Sequence, residues 1–84
     1  MKVEIEYKIS VYKKDLKNID RKDALRVIDK LEVELKKNPD KGIPLKGKFK
    51  GLFKLRVGGY RVIYAKTPKG VLVTRIKPRG QAYK

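Results

Sequence analysis

Between Gly51 and Lys66 the chain reads GLFKLRVGGYRVIYAK, and its charged positions, Lys54, Arg56, Arg61 and Lys66, are all basic. No acidic residue follows Asp40. The residue types narrow the chemistry by elimination. There is no histidine and no cysteine, which excludes imidazole acid–base catalysis, thiolate nucleophiles and cysteine-based zinc sites. Metal-dependent hydrolysis needs clustered carboxylates, and the basic half has none. No P-loop motif occurs: Lys46-Gly47-Lys48 is a loop fragment and Gly58-Gly59 reads as a turn. Neither a metal nor a cofactor is expected. What remains is phosphate chemistry by lysine, arginine and tyrosine. RNA can be cut that way, because its own 2′-hydroxyl attacks the neighbouring phosphate. The protein need only orient that nucleophile and stabilise the charge that develops. Arginine's planar fork suits phosphate oxygens, and neighbouring arginines push a lysine toward the form that takes a proton.

The charge is distributed as unevenly as the residue types. The net charge is +15, of which residues 1–40 contribute +2 and residues 41–84 contribute +13. Soluble surfaces ordinarily mix signs, because like charges repel in the compact state. General basicity would explain scattered lysines, but not a half chain without acid. A wholly basic half implies a polyanionic partner, and nucleic acid is the commonest.

The elements that must position these groups fit one domain over residues 1–84. With 40% hydrophobic residues the chain can form a core despite being 39% charged. The N-terminus MKVEIEYK interleaves charges and does not resemble a signal peptide, and runs such as Val71-Leu72-Val73 are too short to span a bilayer. A soluble, cytoplasmic protein with no membrane partner is the expectation.

Residues 2–7 alternate with period two, with Val3, Ile5 and Tyr7 on one face, and predict a half-buried strand. Ile9, Tyr12, Leu16 and Ile19 recur at helical spacing, with Ser10 available as N-cap. A second helix opens at Asp20, with Asp23 completing a capping box. It carries Ala24, Val27, Ile28, Leu31 and Leu35 as one stripe and ends at Asn38-Pro39. After a loop the period returns to two. A two-residue turn at Gly58-Gly59 pairs Val57 with Tyr60, Arg56 with Arg61, Leu55 with Val62, Lys54 with Ile63 and Phe53 with Tyr64. Phe53, Leu55, Val57, Tyr60, Val62 and Tyr64 then share an apolar face for the helices to cover. Leu52, Lys54, Arg56, Arg61 and Ile63 share the other. Thr67 to Gly70 turns into a last strand, Val71 to Lys77, whose register and the facing of Arg75 stay open. The expected fold is α+β: a strand, a helical hairpin, then three antiparallel strands. The helices lie on one face of an antiparallel sheet and a basic face is open on the other. Arg56 opposite Arg61 is unfavourable in a purely structural design, which points to function.

The C-terminus, Lys77-Pro78-Arg79-Gly80-Gln81-Ala82-Tyr83-Lys84, brackets Arg79 in a turn and adds a tyrosine four residues later. Arg79 suits a phosphate, and Tyr83 either stacks on a base or simply packs. Together with Phe53 to Tyr64 and the loop Pro44-Leu45-Lys46-Gly47, this segment resembles the RelE family of toxins, within the RelE/ParE superfamily, over most of the chain. The C-terminal motif is most similar to archaeal members. The resemblance implies a ribosome-dependent mRNA interferase, which cleaves the codon in the ribosomal A site by 2′-hydroxyl attack and leaves a cyclic phosphate.

By the same resemblance, Lys54 matches the catalytic lysine and Arg61 the arginine on the transition-state phosphate. Arg79 matches the C-terminal arginine on phosphate or leaving group, and Tyr83 the tyrosine stacking near the scissile nucleotide. Arg56 joins them as a backbone binder from its facing, and Lys46, Lys50 and Arg75 complete the set of phosphate-binding candidates. Leu52 stands where well-studied bacterial members carry a further lysine, which leaves the proton-transfer roles open, with Lys50 or Arg56 as compensating groups. The expected partners are the ribosome, mRNA and a cognate RelB-like antitoxin whose toxin-binding segment is an acidic amphipathic helix. Two alternatives remain: a ParE-like toxin that poisons DNA gyrase, against which the retained Lys54, Arg61, Arg79 and Tyr83 argue, and a non-catalytic RNA-binding module.

Overall fold

The computed structural model describes residues 2–78. Strand β1 is Glu4–Tyr7, helix α1 is Arg21–Lys37, and strands β2 to β5 are Ile43–Pro44, Leu52–Val57, Tyr60–Thr67 and Gly70–Pro78. They form one five-stranded sheet in the order β1-β5-β4-β3-β2. The α+β class and the layering hold, with one correction: the sheet is mixed, because β1 runs parallel to β5. The helical segments between β1 and β2 are long enough to carry the chain across the sheet. The meander β3-β4-β5 then returns to β1 from the other side, and a parallel ladder becomes possible. Gly70 permits the closeness of that ladder. A Cβ there would lie 2.2 Å from the Glu4 carbonyl oxygen and 2.6 Å from its nitrogen.

The β3–β4 hairpin has all five expected pairs, with Leu52 opposite Ala65 added beyond them. Its tip is closed by Gly58, at φ +59°. The helix-facing side joins Leu55, Val57, Val62 and Tyr64 to Val71, Val73 and Ile76 of β5, and Ala24, Val27, Leu31 and Leu35 of α1 cover them. Three tyrosines tie this face to the layer above. Tyr7 Oη donates to Glu32 Oε2 at 2.5 Å and Tyr60 Oη to Asp23 Oδ2 at 3.1 Å. Tyr64 Oη donates to the Pro39 carbonyl and accepts from the Gly42 N–H, each at 2.9 Å. Burial, reinforced by Glu32, pushes the Tyr7 phenol up, and burial does the same for Tyr64, so both stay protonated donors. Tyr64→Phe strands the buried Gly42 N–H and is expected to cost about 1–3 kcal/mol. Urea unfolding with an unchanged slope measures it.

The segment before α1 departs from a regular helix. After a turn at Ile9–Ser10 the backbone widens into a π-turn over Val11–Asp15, where the Leu16 N–H bonds the Val11 carbonyl, and then tightens to 3₁₀ over Leu16–Asn18. Ser10 makes no side-chain cap. The extra residue in the turn rotates the face: Val11, Asp15 and Ile19 are buried, while Ile9 and Tyr12, expected inside, are exposed. Asp20 also makes no side-chain cap on α1, and Asp23 is engaged by Tyr60 instead. The helix ends where Asn38-Pro39 predicts.

Candidate nucleic-acid interface

The face of the sheet away from α1 is set by register. Lys54 lies opposite Ile63, and Ile63 opposite Arg75, while Arg61 lies between Arg56 and Lys77. Arg75 and Lys77 reach this face through a bulge. Alternation from buried Val71 and Val73 would send Arg75 inward. The ladder instead slips between Ile63 and Tyr64, leaving Thr74 as the extra residue, its hydroxyl donating to the Ile63 carbonyl at 3.1 Å. Beyond the slip Ile76 is buried and Arg75 and Lys77 turn outward. The facing of Arg75 is thereby settled, and it lies with Lys54 and Arg61.

These side chains border a trough of about 870 Å³. Lys54, Arg61, Arg75 and Lys77 supply its charge, and Leu45, Phe49, Leu52 and Ile63 supply apolar lining. Asp15 is the one carboxylate among the described residues that line it. β1 pairs with β5 only as far as Val73, so among the described residues no strand covers the outer edge of β5 beyond that point. The rotated π-turn brings Asp15 to that edge, where Oδ2 accepts the Ile76 N–H at 2.8 Å and lies 3.6 Å from Arg75 Nε. A buried carboxylate thus fixes the path of β5 past the bulge and holds the stem side of the Arg75 guanidinium. Asp15→Ala is expected to destabilise the fold by about 2–4 kcal/mol, since it strands a buried N–H and unpairs Arg75. Asp15→Asn retains an acceptor and should lose less. Parallel urea titrations of the two variants check the order.

The remaining expected site residues separate. Arg56 shares the sheet face but lines a different groove, with Lys30, Val33, Glu34 and Lys41. Lys46 and Lys50 are exposed on either side of the short 3₁₀ turn Gly47–Phe49, outside the lining of the trough. Lys66 belongs to the other side, paired with Asp40 and 5.1 Å from the centre of the Phe53 ring. Arg79 and Tyr83 lie outside the described residues, and β5 is described up to Pro78, itself part of the lining. Sequence reasoning passed over Lys77, Phe49 and Asp15. A bulge in β5 was the missing signal for Lys77. Phe49, an aromatic among lysines in a glycine-bounded loop, was legible but unused.

Solved structures share this fold. The chain matches the RelBE2 toxin–antitoxin complex of Mycobacterium tuberculosis with a TM-score of 0.85 at 22% identity, covering 94% of this chain and 100% of that one. It is similar to the archaeal RelE–RelB complex of Pyrococcus horikoshii OT3, with a TM-score of 0.69 at 26% identity and coverage of 96% and 99%. The YoeB–YefM complex of Staphylococcus aureus matches at 0.65 and 15% identity, with coverage of 92% and 97%. The class these likenesses define is the α+β fold of RelE-type toxins. No functionally curated protein matches in sequence. Residues 11–83 match the family described as ParE toxin of type II toxin–antitoxin system, parDE. The chain belongs to that family, within the RelE/ParE superfamily, and is a toxin of a toxin–antitoxin system. Among the described residues no helix is long and apolar enough to cross a membrane.

Proposed function

We propose that the protein is a metal-independent endoribonuclease that enters the ribosomal A site and cleaves the mRNA there. The observation that carries this reading is the convergence of Lys54, Arg61, Arg75 and Lys77 on one trough. In the reaction the 2′-oxygen attacks the adjacent phosphorus, its proton passes to Lys54, and the bond to the 5′-oxygen breaks as that oxygen takes up a proton from water. The products are a 2′,3′-cyclic phosphate and a 5′-hydroxyl. Arg61 stabilises the charge on the phosphorane-like transition state, which is the kind of interaction that lowers a barrier rather than merely binding substrate. Arg79 grips phosphate or the leaving oxygen, Tyr83 stacks beside the scissile nucleotide, and Arg75, with its Nε side occupied by Asp15, keeps its terminal nitrogens for the RNA backbone. Lys46, Lys50 and Arg56 add phosphate contacts at the margins.

Nothing in this set orients the 2′-hydroxyl by itself, so ribosomal RNA completes the alignment. Purified mRNA is therefore expected to be cut slowly by the free protein and rapidly once ribosomes are added. Fast cleavage without ribosomes would assign the protein to another ribonuclease class. The family description favours one second reading, a toxin that poisons DNA gyrase. Inhibition of gyrase supercoiling, with no effect on ribosome-bound mRNA, would decide for it.

The toxin's partner in its own cell is a cognate antitoxin, as in the complexes it resembles. The +13 charge of residues 41–84 selects an acidic, amphipathic helix for the inhibitory segment. Association with the neighbouring gene's product should slow steeply as salt rises past physiological strength. Dissociation should change less, because apolar anchors hold the bound state. Stopped-flow rates across a salt series measure both, and an association rate indifferent to salt would reserve the basic half for the ribosome.

A further inference from the structure

Large apolar side chains exposed singly are ordinary, and Ile9, Leu25 and Ile43 need no further account. Phe49 is different. It is 57% exposed, yet it faces the concave trough, beside Leu45 and Leu52 and together with Lys54 and Arg61. Its backbone is set by a tight 3₁₀ turn closed by bonds from the Phe49 N–H to the Lys46 carbonyl and from the Lys50 N–H to the Gly47 carbonyl. Gly47 and Gly51, at φ +67° and +96°, bend the chain on either side of it. Lys46, Lys48 and Lys50, all exposed, flank it along the chain. An exposed aromatic ring on a tight backbone turn, flanked by lysines in the chain and open to a basic concavity, has the chemistry of a stacking platform for nucleobases.

We propose that Phe49 is a base-stacking residue, receiving a nucleobase in the trough while the cations of the sheet hold the backbone. This rests on the reading of the trough as an RNA site, but it needs no cleavage to be observed. Stacking ignores hydrogen-bonding edges, so the subsite takes any base and contributes affinity and register rather than a sequence code. It also gives the face an apolar contact that a purely electrostatic surface lacks, and that contact is insensitive to salt.

The chain has no tryptophan, so Phe49→Trp installs a single indole reporter at the site. A short single-stranded RNA and an abasic oligonucleotide of equal length and charge are titrated at one fixed ionic strength. The RNA should quench the indole fluorescence and the abasic strand should not. Phe49→Leu, which keeps apolar bulk but removes the π face, should weaken RNA binding about tenfold and leave the abasic affinity unchanged, while Phe49→Tyr should restore it. Equal quenching by both strands, no quenching by the RNA, or a Phe49→Leu variant with full RNA affinity would overturn the inference. So would a variant that loses antitoxin affinity alone, which would assign the ring to the protein partner. Selective quenching without ribosomal cleavage would leave the platform standing and remove only the nuclease reading.

Discussion

Arg61→Ala is expected to reduce A-site cleavage by about 100-fold or more, the scale of removing one preorganised charge donor from a transition state. Arg61 sits in β4, a strand with neighbours on both sides, between Arg56 and Lys77 across the ladder. An arginine there is fixed at its Cα by two ladders, which limits the space its guanidinium must search to meet a phosphate. Its position opposite Arg56 sets like charges across the ladder, which is unfavourable for stability. The signature is a kinetic loss far larger than any change in the fraction of folded protein. Single-turnover cleavage on programmed ribosomes, with a urea titration of the same preparation, reads both. Full activity would remove Arg61 from the chemistry, and a loss of activity no larger than the loss of folded protein would make it structural.

Arg79→Ala is expected to abolish toxicity while leaving the fold intact. The grounds are its place between Pro78 and Gly80 and its match to the C-terminal arginine of RelE toxins. The described end of β5 adds to them, since Lys77 and Pro78 line the trough immediately before it. Growth arrest on induction, at matched protein level, is the measure, and retained arrest would count against the role. If Arg61 and Arg79 act on one transition-state charge as a unit, the double variant should be scarcely slower than either single one. Additive losses would mean two independent contributions, one on the phosphate and one on the leaving group.

The hairpin was legible because its signals are local and mutually consistent. Gly58-Gly59 fixes the turn, the turn fixes the register, and period two then assigns Lys54 and Arg61 to one face. Arg75 was not legible, since the same rule applied to Val71 and Val73 sends it into the core. A single extra residue at Thr74 reverses that, and nothing in the composition of β5 marks where a bulge falls. The segment after β1 misled for a related reason. Ile9, Tyr12, Leu16 and Ile19 fit a 3.6-residue repeat, but a π-turn over Val11–Asp15 changes the repeat and buries Val11 and Asp15 instead. Both departures meet at one point, where Asp15 contacts Ile76 and Arg75 at the wall of the trough. Two irregularities therefore build one side of the candidate site, as functional positions tend to do when local rules fail. The parallel pairing of β1 was hidden because no period in residues 2–7 records the direction of a neighbour that lies more than sixty residues away.

The most direct test of the central claim is where the mRNA is cut when the ribosome is moved. Ribosomes are stalled on one message with a chosen codon in the A site, then on the same message one codon downstream, and the 5′ ends of the fragments are mapped after adding the protein. Cleavage within the A-site codon in both cases, moving by one codon with the ribosome and lost on Arg61→Ala, is the result expected here. Cuts at the same message positions whatever the ribosome's place, or intact message in both, would contradict it.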